Sequence, residues 1–202
     1  GWTDNRNAWD GVITNLNDHA RCIAWSIRGH GESFAPPPGQ YTRDHTLSDL
    51  KVITQRSKEK VILAGHSLGG YLSLAHSLLY PEDVEALILV GAGPGFRKKE
   101  SIDQWNSSVI ESAKKLDLPE GSEATALHTD AWVIDSLSEI KVPTLVIVGE
   151  HDKRFRASMS VFEKYLNVKT SVVVEDAGHS VHRKKPLEVA NAIKDFLGEI
   201  SQ

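Results

Sequence analysis

Short runs of aliphatic and β-branched residues alternate along this chain with longer stretches whose apolar positions recur every three or four residues. That alternation is the pattern of a parallel sheet flanked by helices, an α/β fold. The predicted strands are Cys22–Trp25, Val61–Ala64, Ala86–Val90, Thr144–Val148 and Ser171–Val174. All but the first are nearly continuous apolar runs, as strands covered on both faces should be. The predicted helices are Arg6–Leu16, Leu47–Arg56, Leu68–Tyr80, Ile102–Lys115, Ser158–Leu166 and Pro186–Ile200. Pro186 at a helix start and Pro81 just past a helix end sit where a fixed φ and a missing N–H do least harm.

The stretch from Gly91 to about Ile140 reads differently. It opens on a cluster of glycine and proline (Gly91-Ala92-Gly93-Pro94-Gly95), mixes charges and carries Trp105 and Trp132, with no convincing strand. Residues 93–140 are therefore expected to form a small helical cap inserted into a core made of 1–92 and 141–202. Trp105, Trp132, Ile102, Val109 and Leu127 are its candidate lining residues for a small apolar or aromatic substrate.

At 202 residues, with 40% hydrophobic and 25% charged side chains, the chain suffices for one core of ordinary composition. A net charge of −4 gives no electrostatic reason to expect nucleic acid or an anionic membrane as partner. The apolar runs fall far short of the roughly 18 residues of a membrane span. Cys22 is the one cysteine, so no internal disulfide can form; on its predicted strand it is expected to be buried and inert. No signal-peptide pattern is visible, and a cytoplasmic location is the expectation.

The chemistry concentrates in Val61-Ile62-Leu63-Ala64-Gly65-His66-Ser67-Leu68-Gly69-Gly70, where an apolar strand runs through Gly-x-Ser-x-Gly into a helical pattern. Presenting a serine hydroxyl at the top of a sheet takes a sharp turn with the serine backbone strained. Side chains at positions 65 and 69 are expected to collide with neighbouring backbone there. Ser67 would lie at a helix N-terminus, whose free N–H groups favour a developing anion. A serine hydroxyl also needs a base, and the base an orienting acid. Downstream, a strand ends in Gly149-Glu150-His151-Asp152, and a later one leads into Ala177-Gly178-His179. Asp152 and Glu150 are rival acids; His179, His151 and His182 are rival bases.

The Gly65–Gly70 stretch resembles the nucleophile elbow of the α/β-hydrolase superfamily, and Arg28–Ser33, Gly149–Asp152 and Ala177–His179 resemble its other recurrent segments. The resemblance implies a mostly parallel sheet and a triad of Ser67, Asp152 and His179 in that chain order. It makes Arg28-Gly29-His30-Gly31-Glu32-Ser33 a structural turn, with Ser26 standing where aspartate is usual. It implies an oxyanion hole from the Leu68 N–H and a second N–H after a His-Gly pair. Gly1-Trp2 resembles the tail of that pair, so Trp2 is the candidate donor ahead of Thr3. A strand ending in that pair would lie between those feeding Arg28 and Ser67, so upstream apolar strands and a His before Gly1 are expected. No metal or organic cofactor is called for, and His19, His45, His76 and His128 lack metal-ligand spacing. The implied activity is that of a serine carboxylesterase on a small-molecule substrate. A C–C bond hydrolase, an enol-lactonase and a non-catalytic binding scaffold are the alternatives.

Overall fold

In the computed structural model, which describes residues 1–16 and 18–201, the apolar runs pair as parallel strands. These are β1 (Val61–His66), β2 (Val84–Val90), β3 (Pro143–Gly149) and β4 (Asn167–Val174), in that order across one sheet. The helices are α1 (Asp10–Leu16), α2 (Arg43–Thr54), α3 (Leu68–Leu79), α4 (Lys99–Ala113), α5 (Trp132–Asp135), α6 (Arg156–Tyr165), α7 (Val181–Lys184) and α8 (Pro186–Ile200).

Side chains alternate across a strand, and β2 shows how that alternation builds two cores. Leu87 and Leu89 point into a cluster with Leu47 and Leu50 of α2, Leu72 and Leu74 of α3, and Phe162 of α6. Ala86, Ile88 and Val90 point the other way, against Val12 and Leu16 of α1 and Val189, Ile193 and Phe196 of α8. The sheet is thus covered on both faces, as the parallel α/β pattern of the sequence requires. Residues 93–140 contribute α4, α5 and short 3-10 turns and no strand, and Val133 and Leu137 join the first cluster.

Two expectations need correcting. No strand forms at Cys22–Trp25, and Cys22 and Ile23 are exposed rather than buried. A strand exists through its partner's ladder, and β1 is the sheet edge on that side, so the segment has nothing to pair with among the described residues. At the other edge, β4 begins at Asn167, four residues before the predicted start. Its exposed positions (Asn167, Lys169, Ser171, Val173) alternate with half-buried ones, because an edge strand half open to water need not be an apolar run.

Candidate active site

β1 delivers the chain to Ser67, which turns at φ 51° and ψ −115° before α3 begins at Leu68. That positive φ is costly for a residue with a side chain and is held by its surroundings: the Ser67 N–H donates to the Val90 carbonyl at 3.0 Å. A Cβ on Gly65 would come within 2.3 Å of the Gly69 carbonyl, so strand and helix can meet only over a glycine. The expected second collision at Gly69 is absent, since a Cβ there meets nothing within 4 Å; it is Gly70 that is closed, by the Ala92 side chain at 2.4 Å. Gly69 lies on the open side of the turn, whereas Gly70 faces the segment that leaves β2. The Ser67 hydroxyl makes no capping bond to the helix it begins.

β3 ends at Gly149, and the following turn, closed by Asp152 N–H to the Gly149 carbonyl at 3.0 Å, buries Asp152. β4 leads to Asp176, at φ 53°, and on to His179. His179 Nδ1 and Asp152 Oδ2 lie 2.8 Å apart. A carboxylate only accepts, so Nδ1 carries the proton and Nε2 presents the basic lone pair. Phe155 stacks on the imidazole at 4.8 Å and 15°. Gly91, at φ 51°, backs the pair so closely that a Cβ would stand 3.3 Å from both Asp152 Oδ2 and His179 Nδ1. The His179 side chain is 41% exposed. Its ring centroid is 4.6 Å from that of His66, the neighbour of Ser67. The structure therefore brings Asp152, His179 and the Ser67 turn together at the C-terminal ends of β3, β4 and β1, where open parallel sheets bind ligands. Among the described residues, neither the Ser67 hydroxyl nor His179 Nε2 makes a hydrogen bond to the other.

The rival residues have other partners. Glu150 Oε2 accepts the Asp176 N–H at 3.1 Å, tying the base loop to the acid loop. His151 is exposed between Glu150 and Asp176. His182 is buried, with its ring against His66 at 4.2 Å and Trp9 at 4.9 Å, and burial pushes its pKa down to about 3. The candidate oxyanion donor Trp2 lies in a turn closed by the Asp4 N–H to the Gly1 carbonyl at 3.2 Å, with Thr3 at φ 70°. Gly1 abuts His66, where a Cβ would be 2.7 Å from Nδ1, so this turn packs on the residue directly before the serine.

Two groups have donor atoms close enough to suggest a cation: Asp4, His66 and His182, and the exposed Glu150, His151 and Asp176. In the first, the His66 and His182 rings pack on each other at 4.2 Å, tilted by 38°, and Arg183 already holds Asp4 at 3.1 Å. In the second, Glu150 is engaged with the loop backbone. Neither arrangement favours a metal.

Over α3, Trp105 packs with Phe96 at 5.6 Å and His128 at 5.8 Å, and His128 meets Tyr71 edge-on at 4.5 Å. Burial pushes the His128 pKa down to about 4. Trp132 does not share this aromatic group; it lies under the Arg43 guanidinium, which Asp130 holds at 2.8 Å. In the segment Arg28–Ser33, Arg28 clamps Asp49 at 2.8 Å and Gly29, at φ 72°, abuts Tyr41, a structural turn. Phe155, Gly91 and His66 sit against the Asp152–His179 pair without a motif to announce them; a glycine directly after the β2 run was the one available signal.

Comparison with known proteins gives a consistent picture. The model of the alpha/beta hydrolase fold matches residues 1–115. A Bacillus subtilis protein named as a 2-succinyl-6-hydroxy-2,4-cyclohexadiene-1-carboxylate synthase is 27% identical over 99% of this chain and 89% of its own. The 2-hydroxy-6-oxo-6-(2'-aminophenyl)hexa-2,4-dienoic acid hydrolase of Metapseudomonas resinovorans is 24% identical over 96% of this chain and 79% of its own. Among solved structures, a thermophilic esterase from Thermogutta terrifontis superposes with a TM-score of 0.82 and 25% identity, over 100% of this chain and 88% of that one.

Proposed function

The chain belongs to the alpha/beta hydrolase fold family, and from that premise we propose that it is a serine hydrolase cleaving the carboxylic ester of a small apolar or aromatic substrate. Ser67 is the nucleophile, His179 the general base and Asp152 the acid that orients it. The observation that carries this reading is the 2.8 Å Asp152–His179 pair, whose imidazole lies 4.6 Å from the ring of His66, the residue directly before the strained Ser67 turn.

In this mechanism His179 Nε2 takes the Ser67 proton as Oγ attacks the ester carbonyl carbon, and the Leu68 and Trp2 N–H groups hold the oxyanion. The imidazolium returns its proton to the leaving alkoxide, and the alcohol departs from an acyl-enzyme. Water, deprotonated by His179, then releases the acid and restores Ser67. Asp152 fixes the tautomer and stabilises the imidazolium without itself gaining a proton. Residues 93–140 act as the cap over a core of 1–92 and 141–202, with Trp105 and its aromatic neighbours facing the acyl group and Trp132 supporting them through Arg43.

C–C bond cleavage or enol-lactone hydrolysis is the second reading, favoured by the likeness to the Metapseudomonas resinovorans enzyme. A panel of p-nitrophenyl esters, enol-lactones and ring-cleavage diketones separates the three. Turnover of short esters at least tenfold above the others supports the esterase reading. Preference for the diketones moves the protein to C–C hydrolysis, and no turnover of any class leaves a binding scaffold.

A further inference from the structure

The buried histidine directly before Ser67 has no part in the mechanism above, yet it touches the catalytic base. His66 Nε2 lies 2.9 Å from the main-chain carbonyl oxygen of His179. We infer that His66 is a positioning residue whose Nε2–H, donated to that carbonyl, sets where the general base stands over the nucleophile; this rests on the reading of Ser67 and His179 as nucleophile and base.

The His179 loop is held from two sides. Its hydrogen bonds from His151 N–H to the Ala177 carbonyl at 2.8 Å and from Asp176 N–H to Glu150 at 3.1 Å both run to the loop that carries Asp152. They fix the base relative to the acid. Among the described residues, the His66 bond is the one that fixes it relative to β1, the strand that ends at the nucleophile. A carbonyl can only accept, so Nε2 must carry the proton. Nδ1 then faces Asp4 Oδ2 at 3.7 Å. Asp4 is held in turn by Arg183 of α7, the helix that follows the base loop, at 3.1 Å. The His66 ring, 3% exposed, is gripped between the rings of His179 at 4.6 Å and His182 at 4.2 Å. Contacts from the His179 loop, from the Gly1–Asp4 turn and from α7 thus meet on one buried imidazole at the end of β1. A misplacement of about 1 Å between reacting groups costs on the order of 100-fold in rate, so a bond that sets their separation has leverage without touching substrate.

The test compares His66→Met, which keeps length and loses the donor, with His66→Gln, whose side-chain amide can donate to the same carbonyl. With thermal melts checking that both fold, His66→Met is expected to lower kcat about 10- to 100-fold with KM within about twofold, and His66→Gln to restore most of it. Wild-type kcat in His66→Met, or an equal loss in both variants, overturns the inference. Long-range 1H–15N spectra of the wild-type chain test the bond directly and do not depend on any substrate. The His66 Nε2–H tautomer with a slowly exchanging proton is expected, and a proton on Nδ1 alone overturns the inference even if a variant fails to fold. A wild-type chain without turnover, but with this tautomer, would instead count against the hydrolase reading.

Discussion

The two halves of the site are built in opposite ways. The nucleophile half is local: the consecutive residues Val61–Leu79 supply the strand, the strained turn and the helix, and the closest approach in it, at 2.3 Å from a would-be Gly65 Cβ, is between residues four apart. The acid–base half is assembled across the chain. Asp152 and His179 are 27 positions apart, and the contacts that hold them come from Gly91, Phe155, Glu150 and His66. A local device is set by backbone sterics and tolerates little change in any one residue. A distributed one depends on several bonds, each of which can be weakened separately.

The largest effect should come from breaking the distributed half at its centre. In Asp152→Asn the side-chain amide can donate to His179 Nδ1, which turns the proton to Nε2 and leaves the base without its lone pair. A loss of about 10⁴-fold in kcat with the fold retained is expected, measured on the best ester of the panel. A loss under tenfold would mean that Glu150 serves as the orienting acid.

How much of this was legible follows the same division. The elbow could be read from its glycines and from its place between an apolar run and a helical one, although sequence could not tell which glycine is crowded. Gly70, not Gly69, meets a neighbour, because that depends on β2 passing behind the turn. Asp152 and His179 were legible as residues after strand ends, but not as a bonded pair. Phe155 and His66 gave no such signal, and Gly91 only its place directly after the β2 run, since their roles exist only once β1, β2 and the two loops are side by side. The strand expected at Cys22–Trp25 failed for a related reason: a strand forms only beside a ladder partner, and among the described residues β1 is the sheet edge on that side.

The local half is tested next by stability. Gly65→Ala pushes a methyl group into the Gly69 carbonyl and should cost about 4 kcal/mol or prevent folding. Gly69→Ala, in open space on a helix, should be neutral or stabilising by up to about 1 kcal/mol. Chemical denaturation of the two variants checks this, and equal losses would contradict the geometry of the turn.

Acid should strain the half that holds the base. The native pKa of His182 is pushed down to about 3 by burial, against about 6.5 unfolded. Below pH 6.5 the unfolded chain therefore binds a proton that the native chain refuses, and stability falls as pH falls. The His182 contribution to that loss should be about 2 kcal/mol between pH 7 and pH 5. Denaturant midpoints of His182→Asn should show a correspondingly shallower pH slope than wild type, and an unchanged slope would contradict the assignment. Glu150→Gln should do least, weakening the bond to the Asp176 N–H by about 1 kcal/mol and lowering kcat severalfold.

The central claim is that an activated hydroxyl stands at position 67, and covalent labelling by a fluorophosphonate tests it most directly. One adduct per chain, mapped to Ser67 by peptide mass, lost in Ser67→Ala and slowed by orders of magnitude in Asp152→Asn, is the predicted result. A wild-type chain that stays unlabelled, or an adduct that persists in Ser67→Ala, would contradict it.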